Sequence, residues 1–394
     1  AVLAGSSPES QAASDTLNSA FEYYVSEGDI DTVAAIALEP VLRYGLPGDS
    51  ELMESAFALV DPISVDAGRI QTRIATQALG SGDFDGANAA LDRVFEIAGK
   101  IEEPQVEIDA LLGRAVVQTH TGSGTDIVAG LETLDRLLTL LQANPDPITE
   151  CLANGMYALA CSRLGRLDDA LARAEICYEI ASRLRFTSGT VMGYVAAFNA
   201  VLPGGRWEEL GIWRDRQSLG YSGPVAVNRP LDEAYLNPID DAESLRESFA
   251  AIDVDYPFRS VQLLSRLGEV VHSNPGLGME NDLARALGAA NEALAMFISN
   301  PIWSRAWATS AGIVAVALRD RDEALEPYKL LASLNSIEIG LSTDRVSELL
   351  AILLDDPDSA IGHFEDALTF CRDSGYLKEL AWTCSDYAEM LLDR

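Results

Sequence analysis

A short pattern returns along this chain of 394 residues at an interval near 40. No other feature restricts its folding as much. A Gly or Asp turn is followed by an aromatic or Leu, two polar residues, and a small residue that opens a helix. It stands as Gly28-Asp29-Ile30-Asp31-Thr32-Val33, as Gly82-Asp83-Phe84-Asp85-Gly86-Ala87, and as Gly165-Arg166-Leu167-Asp168-Asp169-Ala170. Weaker copies are Gly205-Arg206-Trp207-Glu208-Glu209-Leu210, Asp320-Arg321-Asp322-Glu323-Ala324 and Asp356-Pro357-Asp358-Ser359-Ala360. Counting a helix start near Gly130 that matches only in its apolar face, the small positions fall at 87, 130, 170, 210, 324 and 360. The spacings are 43, 40 and 40, then 36 after a gap of 114 that holds three units of 38. A fixed period of this size means stacked supersecondary units.

Each copy has the chemistry of a corner between two helices. Gly supplies the left-handed backbone that ends the first helix, and Asp caps the second. Behind each corner the apolar residues step by three and four, as in Ala87, Leu91, Val94, Phe95 and Ala98, or Ala360, Phe364, Ala367, Leu368 and Cys371. That spacing draws one stripe along a helix. The partner helices are expected before each corner, at 67–80, 106–119, 148–164, 188–201, 303–318 and 343–354. Alternation of strand type is nearly absent, so the expected fold is all-α and helical throughout.

The rhythm breaks once. Gln217 to Pro257 holds Pro224, Pro230, Pro238 and Pro257 with Gly220 and Gly223, which no long helix can cross. Only 240–252 reads as a helix there. The expected organisation is N-terminal helical repeats over 1–216, a Pro/Gly-rich degenerate repeat or insertion over 217–257, and C-terminal repeats over 258–394. Tyr376 to Arg394 reads as a first helix without its partner, which either caps the array or marks a cut within a repeat, and the cut is expected because an apolar flank at a solenoid end is normally avoided.

Two stretches resemble known repeats. In Gly165 to Ala181, the turn Gly, Leu167, Ala170, Ala174 and Cys177 sit at tetratricopeptide offsets, although the period is nearer 40 than 34 and the closing Pro is mostly missing. The stretch Ala360 to Leu391 (AIGHFEDALTFCRDSGYLKELAWTCSDYAEML) resembles a repeat of multidomain signalling proteins. These are LuxR-type regulators of the maltose-activator kind and nucleotide-cyclase proteins with an AAA-type ATPase and a long tetratricopeptide tail. The resemblance implies a right-handed helix-pair solenoid whose first helices line a concave groove. It implies that Arg163, Asn199 and Thr309 point into that groove. Trp382, within the second stretch, either lines the groove or packs in its own helix pair. Arg163 in an acidic array would select a carboxylate or phosphate, or else pair with Asp168 or Asp169.

Composition excludes more than it identifies. The net charge is −33, and the positive charge is nearly all Arg, since Lys100, Lys329 and Lys378 are the only lysines. Phosphate-backbone affinity comes from cations that displace counterions, so direct nucleic-acid binding by this segment is not expected. The acidity reads either as adaptation to high salt or as a steering field for a basic partner. No apolar run is long enough for a membrane span. The five cysteines (Cys151, Cys161, Cys177, Cys371, Cys384) have no paired motif and read as small buried hydrophobes of a reducing cytoplasm.

His120, His272 and His363 stand in no metal-ligand spacing. No Gly-x-Ser-x-Gly elbow occurs. Gly99-Lys100 lacks the rest of a phosphate-binding loop. Acidic pairs such as Asp168-Asp169 and Asp355-Asp356 are explained by capping. The expectation is therefore no catalytic, cofactor or metal site. What remains is a non-catalytic scaffold that binds a protein, a peptide or a small effector in its groove, as the repeat region of a larger bacterial or archaeal signalling or transcription-regulatory protein. The alternative is a regulatory tail that controls an attached ATPase or nucleotide-cyclase module.

Overall fold

A computed structural model describes residues 8–38, 49–121, 124–220, 257–274, 277–294 and 301–392. Among these, 18 helices account for nearly all regular structure. In chain order they are α1 (Pro8–Glu27), α2 (Ile30–Ala37), α3 (Asp49–Leu59), α4 (Val65–Ser81), α5 (Phe84–Ala98), α6 (Pro104–Thr121), α7 (Gly124–Ala143), α8 (Pro147–Arg163) and α9 (Leu167–Leu184). There follow α10 (Thr187–Gly204), α11 (Trp207–Gly220), α12 (Pro257–Ser273), α13 (Glu280–Leu294), α14 (Pro301–Leu318) and α15 (Arg321–Leu331). The strands β1 (Ile337–Glu338) and β2 (Leu341–Ser342) precede α16 (Thr343–Leu353), α17 (Pro357–Ser374) and α18 (Leu377–Leu392).

The expected first helices match α4, α6, α8, α10, α14 and α16 to within three residues at each end. The helix expected at 240–252 lies outside the described residues. At the edge of that region, α11 runs to Gly220, four residues into the segment expected to break the rhythm.

The corners follow from their sequence. Gly28, Gly82, Gly165 and Gly205 all have positive φ, and Arg319 and Asp355 take the same left-handed place in the weaker copies. At Gly165 the amide donates to the Ser162 carbonyl and the next amide to Cys161, and the same pair of bonds closes the corners at Gly205, Arg319 and Asp355. This is the Schellman arrangement, which satisfies carbonyls that a helix end leaves open. Asp29, Asp83, Asp320 and Asp356 then cap the following helix by accepting its first amides. Arg166 makes no such cap and instead pairs with Asp169 one turn on. The small positions Ala87, Ala170, Ala324 and Ala360 are completely buried, so nothing larger fits where each second helix crosses its partner.

Contacts divide the chain into two compact units, Ala1–Glu150 and Cys151–Arg394. In the first unit, Val33, Met53 and Ile70 centre one core cluster, and Leu91 and Val117 belong to another. In the second unit, α9 packs on α10, α12 on α14, and α16 on α17. Helices from both sides of 217–257 share this unit, because α10 also packs against α18 and β1.

The expectation of helix throughout needs one correction. Ile337 pairs with Ser342 and Glu338 with Leu341 in a two-stranded antiparallel hairpin. Its two central residues, Ile339 and Gly340, both have positive φ, as a type I′ turn requires. Burial of Ile337, Ile339 and Leu341 holds a β-branched residue in a backbone that it rarely adopts.

Two glycines of the second unit separate backbone from packing. Gly165 and Gly375 have nearly equal φ, 74° and 73°. A Cβ at 375 meets nothing within 4 Å, whereas one at 165 overlaps the Ser374 hydroxyl and comes to 2.6 Å from the Ser374 Cβ. Gly375→Ala is expected to cost about 1 kcal/mol, the left-handed penalty alone. Gly165→Ala is expected to cost about 2–4 kcal/mol, because overpacking adds to that penalty. Equal losses on chemical denaturation would show that Ser374 gives way freely.

Candidate functional site

The site begins with a helix that its sequence does not mark as interior. The α16 stripe Val346, Leu349 and Leu350 packs in the apolar core, but the opposite side of the helix carries Asp344, Arg345, Ser347 and Glu348. All residues from Thr343 to Ala351 are buried. A buried charge survives only when paired and hydrogen-bonded, and the partners come from far along the chain.

Arg345 has a 0% exposed side chain. Its Nε donates to Asp386 Oδ2 at 2.8 Å and its Nη1 to Glu269 Oε1 at 2.9 Å. Glu379 Oε2 lies 3.6 Å from Nη1. Lys378 Nζ donates to both oxygens of Glu269, at 3.0 and 3.1 Å, and to Glu379 Oε1 at 3.1 Å. Glu379 also accepts the Ser342 amide at 3.1 Å, which ties the hairpin to the network. At the rim, His272 Nε2 is 3.5 Å from Asp386 Oδ1. Helices α12, α16 and α18 thus bring two cations and three carboxylates together.

The electrostatics follow from this pairing. Burial alone would discharge Arg345, but Glu379, Asp386 and Glu269 together hold its pKa above the ordinary guanidinium range. Burial also works against ionised Glu379 and Asp386. Lys378, Arg345 and the Ser342 amide nevertheless lower Glu379, while His272 and Arg345 lower Asp386. Asp344 is pushed the other way by burial, with His363 opposing.

The four residues assigned to a groove fall in the second unit. Arg163 pairs neither with Asp168 nor with Asp169. Its Nη2 donates to Glu338 Oε2 of β1 at 3.1 Å, with the two side chains 11% and 5% exposed. Asp168 is taken by Arg206, and Asp169 by Arg166. Asn199 is buried on α10. Trp382 is half-buried, its ring centroid 5.5 Å from the Arg345 guanidinium carbon. The structure therefore brings Trp382 to the network. Thr309 is fully buried on α14 and donates to the Arg305 carbonyl within its own helix.

The reading of all five cysteines as buried is corrected at one position. Cys151, Cys161, Cys177 and Cys371 are buried thiols outside any disulfide, but Cys384 is exposed. Trp213 and Trp307 pack in the core, whereas Trp207 is 42% exposed. His363 is half-buried at 13% exposure, packs edge-on to Tyr328 and lies 3.6 Å from Asp344. Sequence reasoning missed Arg345, Glu269, Lys378, Glu379 and Asp386. The only traces in the sequence were the charges on one side of a short helix and a rare lysine beside Glu379, and neither names a partner.

Among the described residues, no group of three or more His, Cys, Asp and Glu has metal-binding geometry, and no helix is long and apolar enough to cross a membrane. No protein-family model matches the chain, and no curated protein does either.

Proposed function

We propose that this chain is a non-catalytic interaction or ligand-sensing scaffold built from tetratricopeptide-like helix pairs, which wind as a right-handed superhelix in a larger signalling or transcription-regulatory protein. The observation that carries the reading is the Arg163–Glu338 pair. An inward Arg at the end of a first helix holds a carboxylate of an extended segment, and a fork-shaped guanidinium suits that chemistry. The recurring corners support the helix-pair part of the reading, since each is closed by the same backbone bonds. A partner of this face would offer a carboxylate on an extended backbone, as the hairpin does.

The Arg345 network favours a second reading, a regulatory tail that moves an attached ATPase or cyclase module. Its members come from helices far apart in sequence, so an arrangement that broke it would differ discretely from one that kept it.

Thermal shift of the intact chain against acidic peptides, nucleotides and sugars tests the scaffold. A ligand at 100 times its Kd adds about 2.7 kcal/mol of stability. For acidic peptides, the shift is expected in the wild type and lost in a folded Arg163→Met variant. A chain that responds to no ligand class, or whose response to acidic peptides ignores Arg163, overturns the proposal.

A further inference from the structure

Glu348 lies one turn beyond Arg345 on α16 and has no exposed surface. Neither of its carboxyl oxygens has a hydrogen-bond partner, and the neighbouring Ser347 hydroxyl and the Thr383 hydroxyl of α18 share that condition. Arg345 spends Nε on Asp386 and Nη1 on Glu269, leaving only Nη2 open. An ionised Glu348 would therefore compete for a guanidinium that three carboxylates already surround.

We propose that Glu348 is a proton-operated latch of the second unit: protonated, it lets α16 lie buried against α18, and ionised, it adds a fourth carboxylate to Arg345 and Lys378 and drives the two helices apart. The latch goes beyond the scaffold reading and does not depend on any partner.

The surroundings favour the neutral form. Asp344 and Arg345 act from α16 itself, and Glu379 and Asp386 from α18. Glu269 of α12 is committed to Arg345 and Lys378. His272 of α12 sits against Asp386. From α17, His363 and Asp366 act on Asp344. The only titratable residue of α14 is Arg305. From α15, Tyr328 meets His363, and the charged residues of that helix are exposed. Burial raises the Glu348 pKa well above the carboxylate range, Arg345 opposes, and Asp386, Asp344 and Glu379 add to the rise.

An acid with a raised folded pKa binds more protons in the native state than in the unfolded one. Stability from this group is present below the unfolded value, near 4.5, and is lost as pH rises toward the folded value. Glu379 and Asp386 are depressed, so their contribution fails on the acid side instead.

Denaturation of the intact wild type and of Glu348→Gln from pH 5 to 9 tests the latch, the amide standing for the protonated carboxyl. Glu348→Gln is expected to gain on the wild type as pH rises from the unfolded value toward the folded one, by at most about tenfold in folding equilibrium constant per pH unit, the weight of one proton. A ratio that does not change with pH overturns the proposal. So does recovery of wild-type stability at high pH when sodium replaces a bulky organic cation at equal ionic strength, because the site would then hold a metal cation. If Glu348→Gln does not fold, infrared spectroscopy of the wild type decides. A buried protonated-carboxyl stretch at neutral pH that vanishes on alkaline titration and persists in Asp344→Asn supports the latch, and its absence overturns it.

Discussion

Arg345→Met is expected to destabilise the second unit by about 3–5 kcal/mol, the usual result of removing one partner from a buried ionic group. Methionine fills much of the volume, so the loss is electrostatic more than steric. Without the guanidinium, Glu269, Glu379 and Asp386 lose the cation that joins Asp386 to Glu269, and Lys378 is left to pair with Glu269 and Glu379. The loss should depend on pH with a definite sign. Wild-type Glu379 and Asp386 have depressed pKa values, so their contribution is full above the unfolded values of 4.5 and 3.8 and fades as pH falls below them. In Arg345→Met the same carboxylates gain by taking protons. The gap between the chains is therefore widest near neutral pH and narrows on acidification. Arg345→Lys should recover only part of it, since a single ammonium cannot span Asp386 and Glu269 as Nε and Nη1 do. Urea denaturation at neutral and acid pH measures both effects. A gap that stays constant with pH would mean that Arg345 acts through packing.

Tyr376→Ala is the second large effect, expected at about 3–5 kcal/mol. The side chain is completely buried and shares a cluster with Ile337 and Cys371. Its ring centroid is 5.9 Å from that of Phe370. Its hydroxyl donates to the Ser162 carbonyl at 2.5 Å, across 214 residues of sequence. Tyr376→Phe isolates that bond, with an expected cost of about 1 kcal/mol. The lower end of the range applies because the Ser162 carbonyl also accepts the Gly165 amide. Amide exchange should speed up at the end of α8 in Tyr376→Ala and much less in Tyr376→Phe. Equal losses for the two variants would place the effect in the hydroxyl.

The corners and helix pairs were legible because their causes are local. Gly at a left-handed position and Asp one residue on produce the same turn wherever they stand, and regular spacing repeats the signal. The hairpin was less legible. Ile337, Ile339 and Leu341 alternate, but the run is too short to outweigh its helical surroundings. The buried network was not legible at all. A charged side of α16 reads as a solvated face unless its partners are known, and Glu269 stands 76 residues before Arg345 while Asp386 stands 41 after it. Arg163 shows the same limit. Asp168 and Asp169 are near in sequence, but Glu338, 175 residues away, is the partner that folding supplies. Local chemistry thus predicted the elements, and only the tertiary arrangement decided which charges meet.

The span of the network sets a clock for synthesis. Glu269 finds Lys378 only after 109 further residues have been made, which at about 5–20 residues per second takes on the order of ten seconds. Until then α16 has nowhere to hide Arg345 and Glu348, and Ser162 awaits Tyr376. The second unit must therefore close late, as one event that joins early and late segments, while its finished helix pairs wait. In that interval the nascent chain exposes interior surface, and its large negative charge is what keeps neighbouring copies apart.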